Sequence, residues 1–407
     1  MHSPPENIKF YFDIVCPYAF LASLRIDALA AQYGATVTWV PILLGGVLKA
    51  LGGPTTPTDG MNPPKARHQL HDISRQGRQA GLDLRLPHDH PRRTVAAMRL
   101  ILAAPPEVRK AVAQDLYAAY WVRGEDVRDP ALLAAVATRH GFDAKRIEDQ
   151  DVKDALHATT AEAQAAGVFG VPTMVVGERM FWGQDRLHLI EAALGGPTRA
   201  PAPVAGEKSD ATIRVFHDFS SPFSYLGHTQ LERLAVETGA TVVPTPILLG
   251  GLFREVGTAD VPMFKLSVPK RAWVARDLAD WAAWWGVPFR FPDHFPLRSV
   301  LPLRITLVEP AAAACLYRAY WAENTPIETP EQCKKVLDSA GFDGAALIAA
   351  TESPAVKEAL KANTAAAVAA GAFGVPTYLV ERPGHAPQLI WGQDRLALVR
   401  AAVRGEI

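Results

Sequence analysis

Two short stretches of this chain put a sulfur or a hydroxyl where thiol chemistry is commonly done. Asp13-Ile14-Val15-Cys16-Pro17-Tyr18-Ala19-Phe20-Leu21 recurs as Asp218-Phe219-Ser220-Ser221-Pro222-Phe223-Ser224-Tyr225-Leu226, which pairs Cys16 with Ser221. Each follows an apolar run that reads as a strand, and each precedes a proline, which suits the first helical position because its missing N–H is not needed there. Cys16 and Ser221 are therefore expected to open a helix, facing free backbone N–H groups and the positive end of the helix dipole. That setting predicts an acidic, nucleophilic Cys16 thiol that alkylates ahead of Cys315 and Cys333; the competing reading is a small buried packing residue. Ser221 does not ionise, but its hydroxyl can donate to a bound thiolate, with plain helix capping as its alternative.

Two further matched sets lie near the end of each half. Val171-Pro172 and Val375-Pro376 each follow Phe-Gly and precede a strand, where a cis peptide would expose the valine backbone for pairing with an extended ligand. Gln184-Asp185-Arg186 and Gln393-Asp394-Arg395 open the last helix after a Trp-Gly turn. Their carboxylates could hold an α-amino group and the first N–H groups an α-carboxylate, although helix capping alone accounts for such residues.

These motifs belong to a duplication. Pro41-Ile42-Leu43-Leu44-Gly45-Gly46 recurs as Pro246-Ile247-Leu248-Leu249-Gly250-Gly251, and Trp182-Gly183-Gln184-Asp185-Arg186-Leu187 as Trp391-Gly392-Gln393-Asp394-Arg395-Leu396. A period of about 200 residues means two domains rather than a solenoid. The expected boundaries are 1–197 and 211–407, with a Pro/Ala/Gly-rich linker over 198–210. Each half reads as strand, helix (Pro17 to Tyr33; Pro222 to Thr238) and strand, followed by a helical insert (about 48–166 and 253–370). A β-hairpin and a last helix close each half. The pattern is α/β, and its order resembles two thioredoxin-like domains, each with an α-helical insertion.

Composition narrows the function. Of 407 residues, 42 are basic and 42 acidic, so no net field draws the chain to nucleic acid or an anionic membrane, and neutral small molecules or proteins are the expected partners. No apolar run approaches the ~18 residues of a membrane span, and the start lacks a leader pattern, so a cytoplasmic location is expected. The 3 cysteines are too few and scattered for a disulfide framework. His88-Asp89-His90 has no converging ligands and reads as a solvated loop, and no metal is expected. Cys315 and Cys333 read as packing residues, and Trp281, Trp284 and Trp285 as core or as walls of an apolar pocket. No phosphate loop or nucleophile elbow occurs.

Asp-Phe-x-Ser-Pro-Phe-Ser-Tyr-Leu, Phe-Gly-Val-Pro-Thr and Trp-Gly-Gln-Asp-Arg-Leu together resemble the 2-hydroxychromene-2-carboxylate isomerases, relatives of kappa-class glutathione transferases and DsbA-type oxidoreductases. The resemblance covers almost the whole chain, twice. It implies glutathione as cofactor, with Ser221 and, in altered form, Cys16 meeting its sulfur. By the same resemblance, Val171 and Val375 before Pro172 and Pro376 pair with its cysteinyl backbone, and Asp185 and Asp394 hold its γ-glutamyl end. Lys65 and Lys270 match a lysine of the early insert that helps bind it. The implied activity is a glutathione-dependent isomerase or transferase acting on aromatic or electrophilic small molecules. A monothiol oxidoreductase using Cys16 and a non-catalytic scaffold are the alternatives. Such proteins are usually homodimers of single domains, so the two copies here imply an intrachain pseudo-dimer. The first half also departs from the pattern: Cys16-Pro17-Tyr18-Ala19 lacks a second cysteine, which forbids an intramolecular dithiol cycle.

Overall fold

Strand β1 (Asn7–Phe12) buries Ile8, Phe10, Tyr11 and Phe12, the signature of a strand covered on both faces by its end. It pairs in parallel with β2 (Thr36–Pro41) and antiparallel with β3 (Thr173–Val176), which turns back through a hairpin into β4 (Arg179–Trp182). The sheet order is β2-β1-β3-β4. The second half repeats it with β5 (Thr212–His217), β6 (Thr241–Pro246), β7 (Thr377–Glu381) and β8 (Gln388–Trp391), in the order β6-β5-β7-β8. In the computed structural model residues 6–54, 61–258 and 261–407 are described. The fold is thus two mixed α/β thioredoxin-like domains, as the repeat implied.

Between β2 and β3 the chain runs through helices Pro63–Gln79, Val95–Ala103, Arg109–Ala118, Pro130–Arg139 and Gln150–Ala165. Asp129 and Thr329 cap corresponding helices that each begin with proline. Two buried indoles join insert to sheet in the same way: Trp121 Nε1 donates to the Ile14 carbonyl and Trp321 Nε1 to the Phe219 carbonyl, both at 2.8 Å.

The first helix of each half differs from expectation. Instead of one helix to Tyr33, Pro17–Ser23 is followed by a separate Ile26–Gln32; Pro222–His228 and Leu231–Thr238 repeat the break. At the joint Arg25 N bonds back to Ala22 O and Gln230 N to Gly227 O, three-residue turns that interrupt the α-helical ladder. The Arg25 guanidinium then reaches the Gln184 carbonyl at 2.9 Å, tying the first of these joints to the last turn of its half.

The chain divides into two compact units that exchange one segment each. The first consists of 1–61, 73–198 and 267–273, the second of 62–72, 199–266 and 274–407. Ring contacts account for the exchange: His68 packs on Phe373 and Trp391, whereas Trp273 packs on Phe169 and Trp182.

Candidate active site

Each site is built where β1 or β5 delivers its last residues to a helix start. In the second half, Asp218 is buried beneath this turn and accepts from Ser220 N (2.9 Å) and Leu249 N (2.7 Å); Asp13 accepts equivalently from Val15 N and Leu44 N. These carboxylates tie the strand end to the Leu-Leu-Gly-Gly segment that follows β2 or β6. Burial raises both pKa values, against the lowering effect of those N–H groups. Their tethering role was missed in the sequence, although the aspartate opens both copies of the signature.

Ser221 is the N-cap of Pro222–His228, its Oγ accepting from Ser224 N at 3.2 Å. The hydroxyl hydrogen is directed to the Val375 carbonyl, 3.3 Å away. In the first half the Cys16 thiol meets the Val171 carbonyl at 3.2 Å and makes no side-chain cap. Val171–Pro172 and Val375–Pro376 are both cis, as expected, and each lies against its own half's Cys16 or Ser221.

The acidic Cys16 is corrected by the structure. The side chain is 9% exposed, and burial pushes the thiol up to about 12; the N–H groups of Ala19 and Tyr18 oppose this shift without cancelling it. A helix start stabilises a thiolate by only ~0.3–1 kcal/mol, too little against desolvation. Cys333 is likewise buried and raised to about 12, while Cys315 is half-buried, also with a raised pKa.

The Trp-Gly turns carry the acids. Gly183 and Gly392 have φ values of 106° and 110°, and a Cβ on either would lie 2.5 Å from the following Asp185 or Asp394 Oδ1. Only glycine lets the carboxylate fold back there. Asp185 is ion-paired to Arg186 at 2.7 Å, and Asp394 to Arg395 at 3.4 Å. Gln184 and Gln393 are buried among protein partners: Gln184 Nε2 donates to Gln76 Oε1 (3.1 Å), and Gln393 Oε1 accepts from Trp285 Nε1 (3.2 Å). They open short 3-10 turns ahead of the last helices, Leu187–Ala193 and Leu396–Arg404.

The lysines are brought in crosswise. Lys65, from the first half of the sequence, lies 6.0 Å from the Trp391 ring of the second unit, and burial lowers its pKa. Lys270 lies 4.9 Å from the Trp182 ring and 5.9 Å from Phe169 in the first unit. The exchanged segment also gives the second unit Asp72, 3.1 Å from Arg395 Nε, and His68 Nε2, which accepts from Trp391 N at 3.1 Å. Asn62 starts this segment, its Oδ1 accepting from Lys65 N. Nothing in the spacing of the repeat shows to which unit each lysine belongs.

Among the described residues no group of His, Cys, Asp or Glu forms a metal cluster, and no helix is long and apolar enough to cross a membrane. His90 bonds Tyr120 (2.8 Å), and Asp89 pairs with Arg92 and Arg128.

A mixed four-stranded sheet with Cys16 or Ser221 at the first helix start and a Val-Pro pair opposite it is the arrangement of a thioredoxin-fold protein. Residues 7–195 and 212–404 each match the DsbA-like thioredoxin domain, and the chain belongs to that family in two copies. It is 31% identical over 204 residues to a 2-hydroxychromene-2-carboxylate isomerase of Pseudomonas sp. strain C18, covering 49% of this chain and 93% of that protein. Glutathione S-transferase kappa 1 of Homo sapiens is 25% identical over 220 residues, covering 49% and 96% respectively. A solved 2-hydroxychromene-2-carboxylate isomerase structure matches at 26% identity with a TM-score of 0.41, over 46% of this chain and 94% of that one.

Proposed function

We propose that this protein is a glutathione-dependent isomerase or transferase acting on aromatic or electrophilic small molecules, with Ser221 at the sulfur-binding position. The observation that carries the reading is the Ser221 hydroxyl, held by Ser224 N and free to turn its hydrogen from the Val375 carbonyl towards a sulfur. The donor set suits glutathione: a hydroxyl at a helix start for the thiolate, a valine backbone before a cis-proline for the cysteinyl unit, and Asp394 with Lys65 for the charged ends. Bound there, glutathione would supply a nucleophilic sulfur for reversible addition to a conjugated double bond. Ser221 stabilises the thiolate by donating to it, an interaction of ~1.5–3 kcal/mol for a hydrogen bond to a charged group. Trp391 and Lys65 bound the site by ring and charge.

The raised pKa of Cys16 counts against a monothiol oxidoreductase, which needs a thiolate, whereas Ser221, equally buried, acts without ionising. The first half keeps the same backbone geometry, with Lys270 and Asp185 in the corresponding places, and is proposed as the weaker of two glutathione sites. The segment exchange supports an intrachain pseudo-dimer, in which each half of the sequence completes the other's site. Calorimetry with glutathione tests the reading: binding by the wild type that weakens in Ser221→Ala supports it, and no binding at either site overturns it in favour of a scaffold.

A further inference from the structure

The second unit contains a groove of about 430 Å³ between the Pro222–His228 helix and the Ala313–Trp321 helix. Tyr225, His228, Glu232, Ala314, Tyr317 and Arg318 contribute to its lining, which includes none of Ser221, Val375, Asp394 or Lys65. The first half shows why it is open. At the matching place Gln114 Nε2 bonds the Ser23 hydroxyl (3.0 Å) and carbonyl (3.1 Å), and Lys110 pairs with Asp27 at 2.8 Å, so two side-chain bridges span the corresponding position. The second half has Ala314 for Gln114, His228 for Ser23, Pro310 for Lys110 and Glu232 for Asp27. Neither bridge can form.

The walls and polar groups indicate what fits. The His228 and Tyr317 rings pack together 4.9 Å apart at 32°, which makes this wall aromatic. His228 Nδ1 is buried and has no hydrogen-bond partner among the described residues. Burial lowers the pKa of this imidazole to about 4, so it presents a neutral ring. At the rim Arg318 is already paired with Glu323 at 2.6 Å, and Glu232 is exposed without an ion partner among the described residues, so no spare cation awaits an anion.

We propose that this groove is a second small-molecule site, separate from the Ser221 site, for an uncharged planar aromatic compound that packs against the His228 side chain. The test is a fluorescence titration of the full chain with 2-naphthol and, separately, 2-naphthoate. The wild type binds 2-naphthol saturably at one site, and 2-naphthoate about tenfold more weakly because Glu232 repels it. Ala314→Gln and His228→Ser, which restore first-half residues, each weaken 2-naphthol by about tenfold or more, with far-UV circular dichroism unchanged. Saturating glutathione leaves 2-naphthol affinity unaltered. The absence of saturable 2-naphthol binding, equal affinity in both variants, tighter binding of 2-naphthoate, or displacement by glutathione would each overturn the assignment. The last outcome would place 2-naphthol in the Ser221 site; a failure to bind glutathione at all would overturn the function above and leave this groove standing.

Discussion

The Cys16 thiol lies 3.2 Å from the Val171 carbonyl oxygen, buried and directed at the backbone that precedes Pro172. The thiol is placed to donate to that carbonyl, and burial pushes its pKa up. Iodoacetamide labelling at neutral pH, mapped by mass spectrometry, is therefore expected to modify half-buried Cys315 before Cys16 and Cys333. Cys16 reacting first would contradict the burial-raised thiol.

The crosswise lysines make a prediction that local sequence does not. Lys65→Ala should weaken glutathione at the Ser221 site, and a double-mutant cycle with Ser221→Ala should show coupling of at least about 0.5 kcal/mol. Coupling of Lys65 to Cys16 instead would show that each half completes its own site. Calorimetry on the four-protein cycle decides.

Removing the buried tether should cost stability rather than only activity. Asp218→Ala strands the Ser220 and Leu249 N–H groups in a buried turn, at about 1–3 kcal/mol for each buried donor left unsatisfied. Denaturant unfolding is expected to show the second half destabilised. An unchanged midpoint would remove Asp218 from this role.

A histidine cluster gives the second half its own pH response. His217 and His228 are desolvated, which lowers their pKa values to about 3 and about 4, and His217 contacts the Tyr317 hydroxyl at 3.1 Å. Because both folded values lie below the ordinary 6.5, their neutral forms contribute full stability above pH 6.5. That stability is lost as pH falls towards the folded values, since the unfolded chain takes up protons first. Each group adds up to about 1.4 kcal/mol per pH unit to the slope. His217→Phe, which restores the residue found at Phe12, should make the decline below pH 6.5 shallower by about one proton. Denaturant titrations at pH 7 and pH 5 measure it; an unchanged slope would refute it.

Much of the fold was legible because duplication repeats its own evidence. The Cys16 and Ser221 turns, the Val-Pro pairs and the Trp-Gly-Gln-Asp-Arg turns recur in one order, and only a shared geometry requires glycine at Gly183 and Gly392. Three features were not legible, for physical reasons. The helix breaks at Arg25 and Gln230 are single three-residue turns inside a continuous helical pattern, which periodicity does not register. The partner of each lysine depends on the exchange of the Asn62–Asp72 and Ser267–Trp273 segments between units. The Cys16 pKa depends on burial, which a helix-start argument does not contain.

The most direct test of the proposed function compares Ser221→Ala with Cys16→Ser in two assays, glutathione-dependent turnover of a chromene or enone and glutathione-dependent disulfide reduction. Loss of one charge-assisted hydrogen bond to the thiolate predicts that Ser221→Ala slows the first reaction by about ten- to a hundredfold, corresponding to ~1.5–3 kcal/mol. Cys16→Ser, which turns the first site into a copy of the second, is expected to retain it. Abolition of all activity in Cys16→Ser, with Ser221→Ala unaffected, would contradict the isomerase–transferase account and assign the chemistry to thiol–disulfide exchange at Cys16.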